Sequence, residues 1–271
     1  MENNNFYIDQ NQQILSPQSG QNTYNFNVKD KLKVHLIIPE NSTGLLMFNI
    51  LGSGIFDFTL EFKANSNLSF LYLNESNHEL EILEKVILHE QVELHANYGE
   101  LSDGNHKRTT VFELIGRKSH LEVRSASIAF GKLDWKMSAV HKAKDTYAML
   151  KNYGIVLESG FLGFEVLGNI EKHNSQSKTH QETRVMNMAK DVKAIVYPQL
   201  IIDENDVEAS HAASVGQPDP IAVYYMKSRG LSEQEVLNHM ILGYLLPIID
   251  VIEDQTIKEQ LSERIVSKVM A

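Results

Sequence analysis

Cysteine is absent from the 271 residues. No disulfide framework, thiolate nucleophile or thiolate-held zinc or iron–sulfur site can therefore be built from this chain alone. Excess positive charge is also lacking. The formal net charge is −10, which opposes general binding to nucleic acid or to an anionic membrane surface. No apolar run approaches the roughly 18 residues of a membrane span, and the longest, residues 242–252, is broken by Gly243, Pro247 and Asp250. The start, residues 1–13, is rich in Asn and Gln and has no signal-peptide pattern. No Walker motif occurs: Gly52-Ser53-Gly54 lacks the following Lys-Ser/Thr of a phosphate loop. ATPase activity, if any is involved, belongs to a partner. Together these absences point to a cytoplasmic protein.

What is present is ordinary globular material, 42% hydrophobic and 22% charged. A chain of this length buries a large core without disulfides or a structural metal. Apolar residues alternate through the first third, as in Tyr24, Phe26 and Val28, then Leu32, Val34 and Leu36, then Phe56, Phe58, Leu60 and Phe62. A period of two means strands with one buried face. Short apolar segments of three to five residues recur from about residue 84 to 216, with polar or glycine-bearing corners between them, such as Gly116-Arg117 and Gly131-Lys132. Very short strands sustained over such a length fit a sandwich or a solenoid, and without a strict repeat the pattern favours neither.

The period changes after residue 217. Ile221, Tyr224, Tyr225 and Ser228 predict a short helix closed by Gly230. Ser232 and Glu235 predict a capping box, followed by a helix with Val236, Leu237, Met240, Ile241, Tyr244 and Leu245 on one face. Pro247 is expected to kink or end it. Thr256 and Glu259 predict a second capping box, opening a last helix along Ile257, Leu261, Ile265 and Val269. The expected organisation is a poorly defined segment 1–25, a β-rich body 26–216 and a helical module 217–271.

Candidate chemistry is sparse. His89 and His95, six apart, are expected on one strand and one face; His173 and His180 flank a polar loop. Neither pair has a third ligand nearby in sequence. Asp203, Glu204, Asp206 and Glu208 form an acidic run that could serve acid–base chemistry or calcium, or simply be a solvated corner.

One stretch carries more. Residues 198–216, from Pro198-Gln199-Leu200-Ile201-Ile202 through Asp206-Val207 to Ser210-His211-Ala212-Ala213-Ser214-Val215-Gly216, are followed by Tyr224-Tyr225-Met226-Lys227-Ser228-Arg229-Gly230. The order of strand, turn, His motif and Ser-Arg-Gly helix resembles the SufB/SufD family, on its SufD-like side, and fainter similarity runs upstream to about Leu94. The sequence departs from the family pattern at Ala209, often a Cys, at Ala212 for Gly and at Ser214 for Thr. The cysteine that marks a SufB subunit is absent.

The resemblance implies a mainly β fold: a right-handed parallel β-helix with a C-terminal α-helical module. It implies a non-catalytic scaffold subunit of the Suf iron–sulfur cluster assembly machine. That subunit pairs with a SufB-like subunit or with itself and docks a SufC-like ABC ATPase. By position, His211 matches the family histidine implicated at the subunit interface, a candidate ligand for iron or a nascent cluster. No cofactor is expected to be permanently bound. Tyr224, Tyr225, Arg229, Met240, Ile241 and Tyr244 are the expected partner-binding residues, with no nucleic acid and no membrane as partners. The alternatives are a divergent β-helix homodimer that has lost cluster assembly and a carbohydrate-active β-helix protein.

Overall fold

The computed structural model describes residues 3–157, 159–189, 192–252 and 255–270. Fifteen strands come first: β1 (Asn3–Ile8), β2 (Gln12–Leu15), β3 (Ser19–Ile38), β4 (Thr43–Phe62), β5 (Asn67–Asn74), β6 (Leu80–Leu88), β7 (Glu93–Glu100) and β8 (His106–Leu114). They continue as β9 (His120–Ala129), β10 (Lys132–His141), β11 (Tyr147–Val156), β12 (Phe161–Ile170), β13 (Lys178–Asn187), β14 (Lys193–Ile202) and β15 (Glu208–Gly216). Then follow α1 (Pro220–Ser228), α2 (Glu233–Leu245), a 3₁₀ segment (Leu246–Val251) and α3 (Gln255–Met270).

Every strand pairing is parallel, and the pairing order separates odd from even strands. The long β4 joins the two series: its first half pairs with β5 and its second half with β6. Odd strands then stack as one wall and even strands as the other, so the chain winds as a parallel β-helix of about seven turns. Of the two architectures compatible with the alternation, the solenoid is the one adopted. The repeat is loose. Asn67 bonds to Glu93, 26 residues on, whereas Asn152 bonds to Thr183, 31 residues on. That drift is why no strict repeat is visible in the sequence.

Strands after β2 run eight to twenty residues, longer than the three to five residues expected from the apolar runs. The cause lies inside the walls: polar residues such as Glu84, Arg108, Ser125, Asn152 and Thr183 are buried in the inward columns. They interrupt the apolar alternation without ending the strand.

One edge of the coil is built from a ladder of left-handed corners. Asn41, Asn65, Gln91, Lys118, Asp145 and Gln176 all have φ between 55° and 61°. Each donates its backbone N–H to a carbonyl one turn further on, for example Asn65 to Glu90 at 2.9 Å and Gln91 to Arg117 at 3.0 Å. The following residue turns inward, so Ser42, Ser66, Val92, Ser119, Thr146 and Ser177 are buried in line. The hydroxyls of Ser42, Ser66, Thr146 and Ser177 donate to carbonyls of the bend, as Ser66 Oγ does to Lys63 at 2.7 Å and Pro39 at 3.0 Å. His89 sits just before this corner and His95 lies on β7 beyond it, so the expected shared strand is not formed.

The core changes character along its axis. The early turns are filled by Tyr24, Phe26, Phe48, Phe56, Phe58 and Phe70, with rings 5.0–6.4 Å apart. The late turns are filled on the odd wall by Asn152, Thr179, Gln181 and Thr183.

The helices fold back over the outer face of the odd wall. Ile241, Leu245, Ile248, Ile249, Leu261 and Ile265 pack there on Leu71, Leu73, Ala126, Ile128 and Ile155. Burying each such aliphatic side chain contributes roughly 1.5–3 kcal/mol, which holds the module to the solenoid. Ser232 and Glu235 form the expected capping box. Gly230, at φ 99°, ends α1 as a left-handed residue that only glycine adopts freely. Pro247 stands where α2 tightens into the 3₁₀ segment. The second expected capping box does not form: Thr256 lies inside α3, which already begins at Gln255. A residue within the helix has helical backbone angles and cannot cap it.

Candidate functional site: the open end of the solenoid and its helical module

The solenoid ends without a cover. All nine residues of β15 are exposed, and β15 pairs along one edge only, with β13. Its register puts Ala209 beside Thr179, His211 beside Gln181, Ala213 beside Thr183 and Val215 beside Val185. The four β13 partners are buried, so His211 occupies the inward column of the last, uncovered rung. Beneath it, Gln181 donates from Nε2 to the Gln199 carbonyl of the even wall at 3.0 Å. Gln181 Oε1 and Thr179 Oγ1 are buried and have no hydrogen-bond partner among the described residues. β14 adds Ile195, Tyr197 and Ile201, 46%, 61% and 47% exposed. The end therefore presents unpaired backbone, one imidazole and an apolar strip together.

The acidic run is a solvated corner between β14 and β15. Asp203, Asp206 and Glu208 are exposed. Backbone N–H groups of Asn205, Asp206 and His173 hold the Glu204 carboxyl below its usual range, and the Lys178 ammonium at 2.6 Å does the same for Glu208. Among the described residues, no three His, Asp or Glu side chains converge as a metal site. His211 could contribute one ligand to iron or a cluster, and its remaining ligands would have to come from another chain.

Helix α1 leaves this end directly. Only residues 217–219 separate it from β15. Pro220 opens the helix and Asp219 Oδ1 caps it, accepting the Ile221 N–H at 2.9 Å. No described residue of α1 is buried; Ile221, Tyr224 and Tyr225 are 76%, 75% and 57% exposed. Arg229 lies over the Tyr225 ring at 5.3 Å and donates to its hydroxyl at 3.1 Å. Tyr224, Tyr225 and Arg229 thus share one free helix. Of the other expected docking residues, Met240 is half-buried, Ile241 is buried against the solenoid, and Tyr244 meets Tyr153 edge-on at 5.5 Å. Ile241 and Tyr244 serve the seam between module and solenoid.

Sequence reasoning missed a charged cluster inside the coil. Arg108, wholly buried, donates from Nη2 to Glu84 at 2.8 Å, from Nη1 to Glu100 and from Nε to Thr110 at 3.1 Å. Tyr72, Tyr98 and Trp135 surround its guanidinium at 4.0–4.7 Å. The Arg108 charge holds the Glu100 carboxyl below its usual range despite burial. A signal was available: Glu84 and Arg108 fall in the inward phase of alternating strands, where apolar residues are expected.

Within this cluster, Ser102, His106 and Glu100 superficially resemble a nucleophile, base and acid. His106 Nε2 lies 2.8 Å from Ser102 Oγ and 3.0 Å from the His78 carbonyl. A carbonyl can only accept, so Nε2 carries the proton. His106 Nδ1 accepts from Asn74 Nδ2 at 2.7 Å, and Asn74 is oriented by the Ser76 N–H on its Oδ1 at 3.1 Å. Nε2, the nitrogen facing Ser102, already bears a proton, so it cannot take one from that hydroxyl. Asn74 also stands between the imidazole and Glu100, donating to the carboxylate at 2.7 Å.

Comparison with known proteins gives a family. The model of a family described as SUF system FeS cluster assembly, SufBD core domain, matches residues 20–244. The iron-sulfur cluster assembly protein SufD of Bacillus subtilis is 30% identical over 173 residues, 63% of this chain and 40% of that protein. The corresponding SufD of Escherichia coli is 24% identical over 213 residues, 77% of this chain and 50% of its own length. An iron-sulfur cluster assembly SufBD family protein of Pyrococcus horikoshii is 26% identical over 82 residues. The chain spans half or less of the length of these relatives. No described helix is long and apolar enough to cross a membrane.

Proposed function

The chain belongs to the SufBD core family, and on that premise we propose that it is a non-catalytic scaffold subunit in Suf-type iron–sulfur cluster assembly. The observation that carries the proposal is the uncovered last rung, with His211 in its inward column and a free β15 edge beside it. An exposed edge strand is a template for pairing with another chain. A second β-helix, a SufB-like subunit or a copy of this one, completes the sheet there. The nascent cluster is the cargo of that seam. A neutral imidazole binds iron well, and the partner supplies the thiolates this chain lacks.

Helix α1 is the seat for an ABC-type ATPase. Its support is an amphipathic helix with unburied Ile221, Tyr224 and Tyr225, suited to lying in a partner's groove. Co-expression with the ABC-type ATPase of the same organism tests this. A complex that survives size-exclusion chromatography, and is lost with Tyr225→Ala or Arg229→Ala, is the expected result. A folded, active ATPase that elutes apart from the wild-type chain overturns ATPase docking.

A further inference from the structure

A recess lies where α2 crosses the outer face of the odd wall, reaching β13, the strand beside the terminal β15. It measures about 220 Å³ and is lined by Arg124, Tyr153, Arg184, Gly243, Tyr244 and Pro247. The lining holds two arginines and no carboxylate, in a chain whose net charge is −10. Arg124 makes one hydrogen bond, from Nη1 to the Pro247 carbonyl at 3.2 Å, and no ion pair among the described residues. Arg184 gives its Nε to Glu182 at 2.6 Å, and its two terminal nitrogens have no partner among the described residues. Lys151 lies in register between Arg124 and Glu182, directly beside each on the neighbouring strands, and forms no ion pair among the described residues. Like charges directly opposite one another on a sheet are destabilising. Arg124 and Lys151 also border an adjoining recess that Glu122 and Asp250 line, whereas the recess beside Gly243 has Arg124 and Arg184 and no carboxylate in its lining.

Gly243 points the same way. It sits in the interior of α2, where glycine costs roughly 0.5–1 kcal/mol relative to alanine. Yet a Cβ at this position would meet nothing within 4 Å, so packing does not require glycine. What it does is keep side-chain bulk out of the recess.

We propose that this recess binds a small phosphate-bearing anion, with Arg124 and Arg184 supplying the charge and Tyr153 and Tyr244 the aromatic walls. Guanidinium groups match phosphate oxygens in paired hydrogen bonds. Two tyrosine rings, edge-on at 5.5 Å, suit a ligand that carries a ring beside its phosphate. The inference is independent of the family reading.

Isothermal titration of the intact chain with inorganic phosphate and with phenyl phosphate, in chloride buffer, tests it. Both are expected to bind saturably at one site, phenyl phosphate the tighter. Arg184→Gln is expected to weaken binding at least tenfold, and Gly243→Leu to abolish it by filling the recess. Lys136→Gln, on the even wall, is expected to leave it unchanged. Gly243→Leu replaces a helical glycine in open space, so it remains informative even if Arg124→Gln loosens the module. Phosphate binding without a gain for phenyl phosphate removes the aromatic role and overturns the proposal as stated. So does the absence of saturable binding, or binding that survives Gly243→Leu.

Discussion

Arg108 and Glu84 meet at 2.8 Å in the middle of the β-helix with both side chains wholly out of solvent. The pair joins neighbouring turns, since Arg108 lies on β8 and Glu84 on β6. Removing one partner leaves the other charge buried and unpaired. Arg108→Met is expected to cost about 3–5 kcal/mol, as is typical of broken buried pairs. Glu84→Gln alone should cost less, because Glu100 still neutralises the guanidinium. Urea denaturation of the single and double variants measures both. A cost below about 1 kcal/mol for Arg108→Met would show that the cluster relaxes or hydrates.

His141 is fully buried, with Nδ1 2.7 Å from Thr146 Oγ1 and Nε2 without a protein partner. Burial lowers its pKa to about 4. The unfolded chain therefore takes up a proton near pH 6.5 that the folded chain refuses until about pH 4. Its contribution is complete above pH 6.5 and is lost as pH falls toward 4, amounting to about 3 kcal/mol. Wild-type protein is expected to be less stable in urea at pH 5 than at pH 7.5. His141→Gln should flatten that difference while lowering stability at pH 7.5. An unchanged slope in the variant would assign the acid sensitivity elsewhere.

Glu61 ties three turns together. It accepts from Lys63 and lies 3.1 Å from His35 and 2.9 Å from His89. These partners outweigh its partial burial and lower its pKa to about 2. The stability it contributes is present above the unfolded carboxyl value, and is lost as pH falls through that value toward 2. Glu61→Gln should reduce the loss of stability between pH 4.5 and pH 2.5, read by circular dichroism melts. Parallel melting curves for variant and wild type across that range would remove Glu61 from the account.

Gln91 is the one glutamine between two asparagines and a lysine in the early corner ladder, at φ 55°. Asparagine tolerates the left-handed region better than glutamine does. Gln91→Asn is expected to stabilise the fold by roughly 0.5 kcal/mol, a small rise in melting temperature. A drop instead would mean that the longer side chain makes contacts worth more than the backbone strain.

On the proposed function, His211→Ala should leave folding and pairing intact and reduce iron carried by the assembled complex. Ala213→Pro should instead abolish pairing, and the iron with it, because proline removes a ladder donor from β15. Mass measurement by light scattering and iron content by absorption spectroscopy separate the two. Equal iron loading in His211→Ala would take the imidazole out of the site.

Much of this was readable beforehand, and the gaps have physical causes. The alternation of Phe56, Phe58, Leu60 and Phe62 gave one face of β4 directly, and Ser232 with Glu235 gave the start of α2. The choice between sandwich and solenoid could not come from period two, which both architectures share; the motif around His211 tipped it. The length of the strands was hidden because Ser125, Asn152 and Thr183 are polar yet buried. Ser125 Oγ donates to Asn152 Oδ1 at 2.7 Å, and Asn152 Nδ2 to Thr183 Oγ1 at 3.4 Å. Such a ladder satisfies itself between turns, and a one-turn segment of sequence gives no sign of it. The Arg108 cluster was hidden in the same way.

The shift from stacked rings in the early turns to amides and hydroxyls in the late ones makes cohesion uneven along the axis. Amide hydrogens of β3 and β4 should exchange only on global unfolding, whereas those of β13 and β15 should exchange by local fraying. The coil is then anchored at one end and pliant at the other. A visitor to the pliant end meets strands that can still settle around it, and some of the free energy of contact goes into ordering them. Association there should be reversible and adjustable.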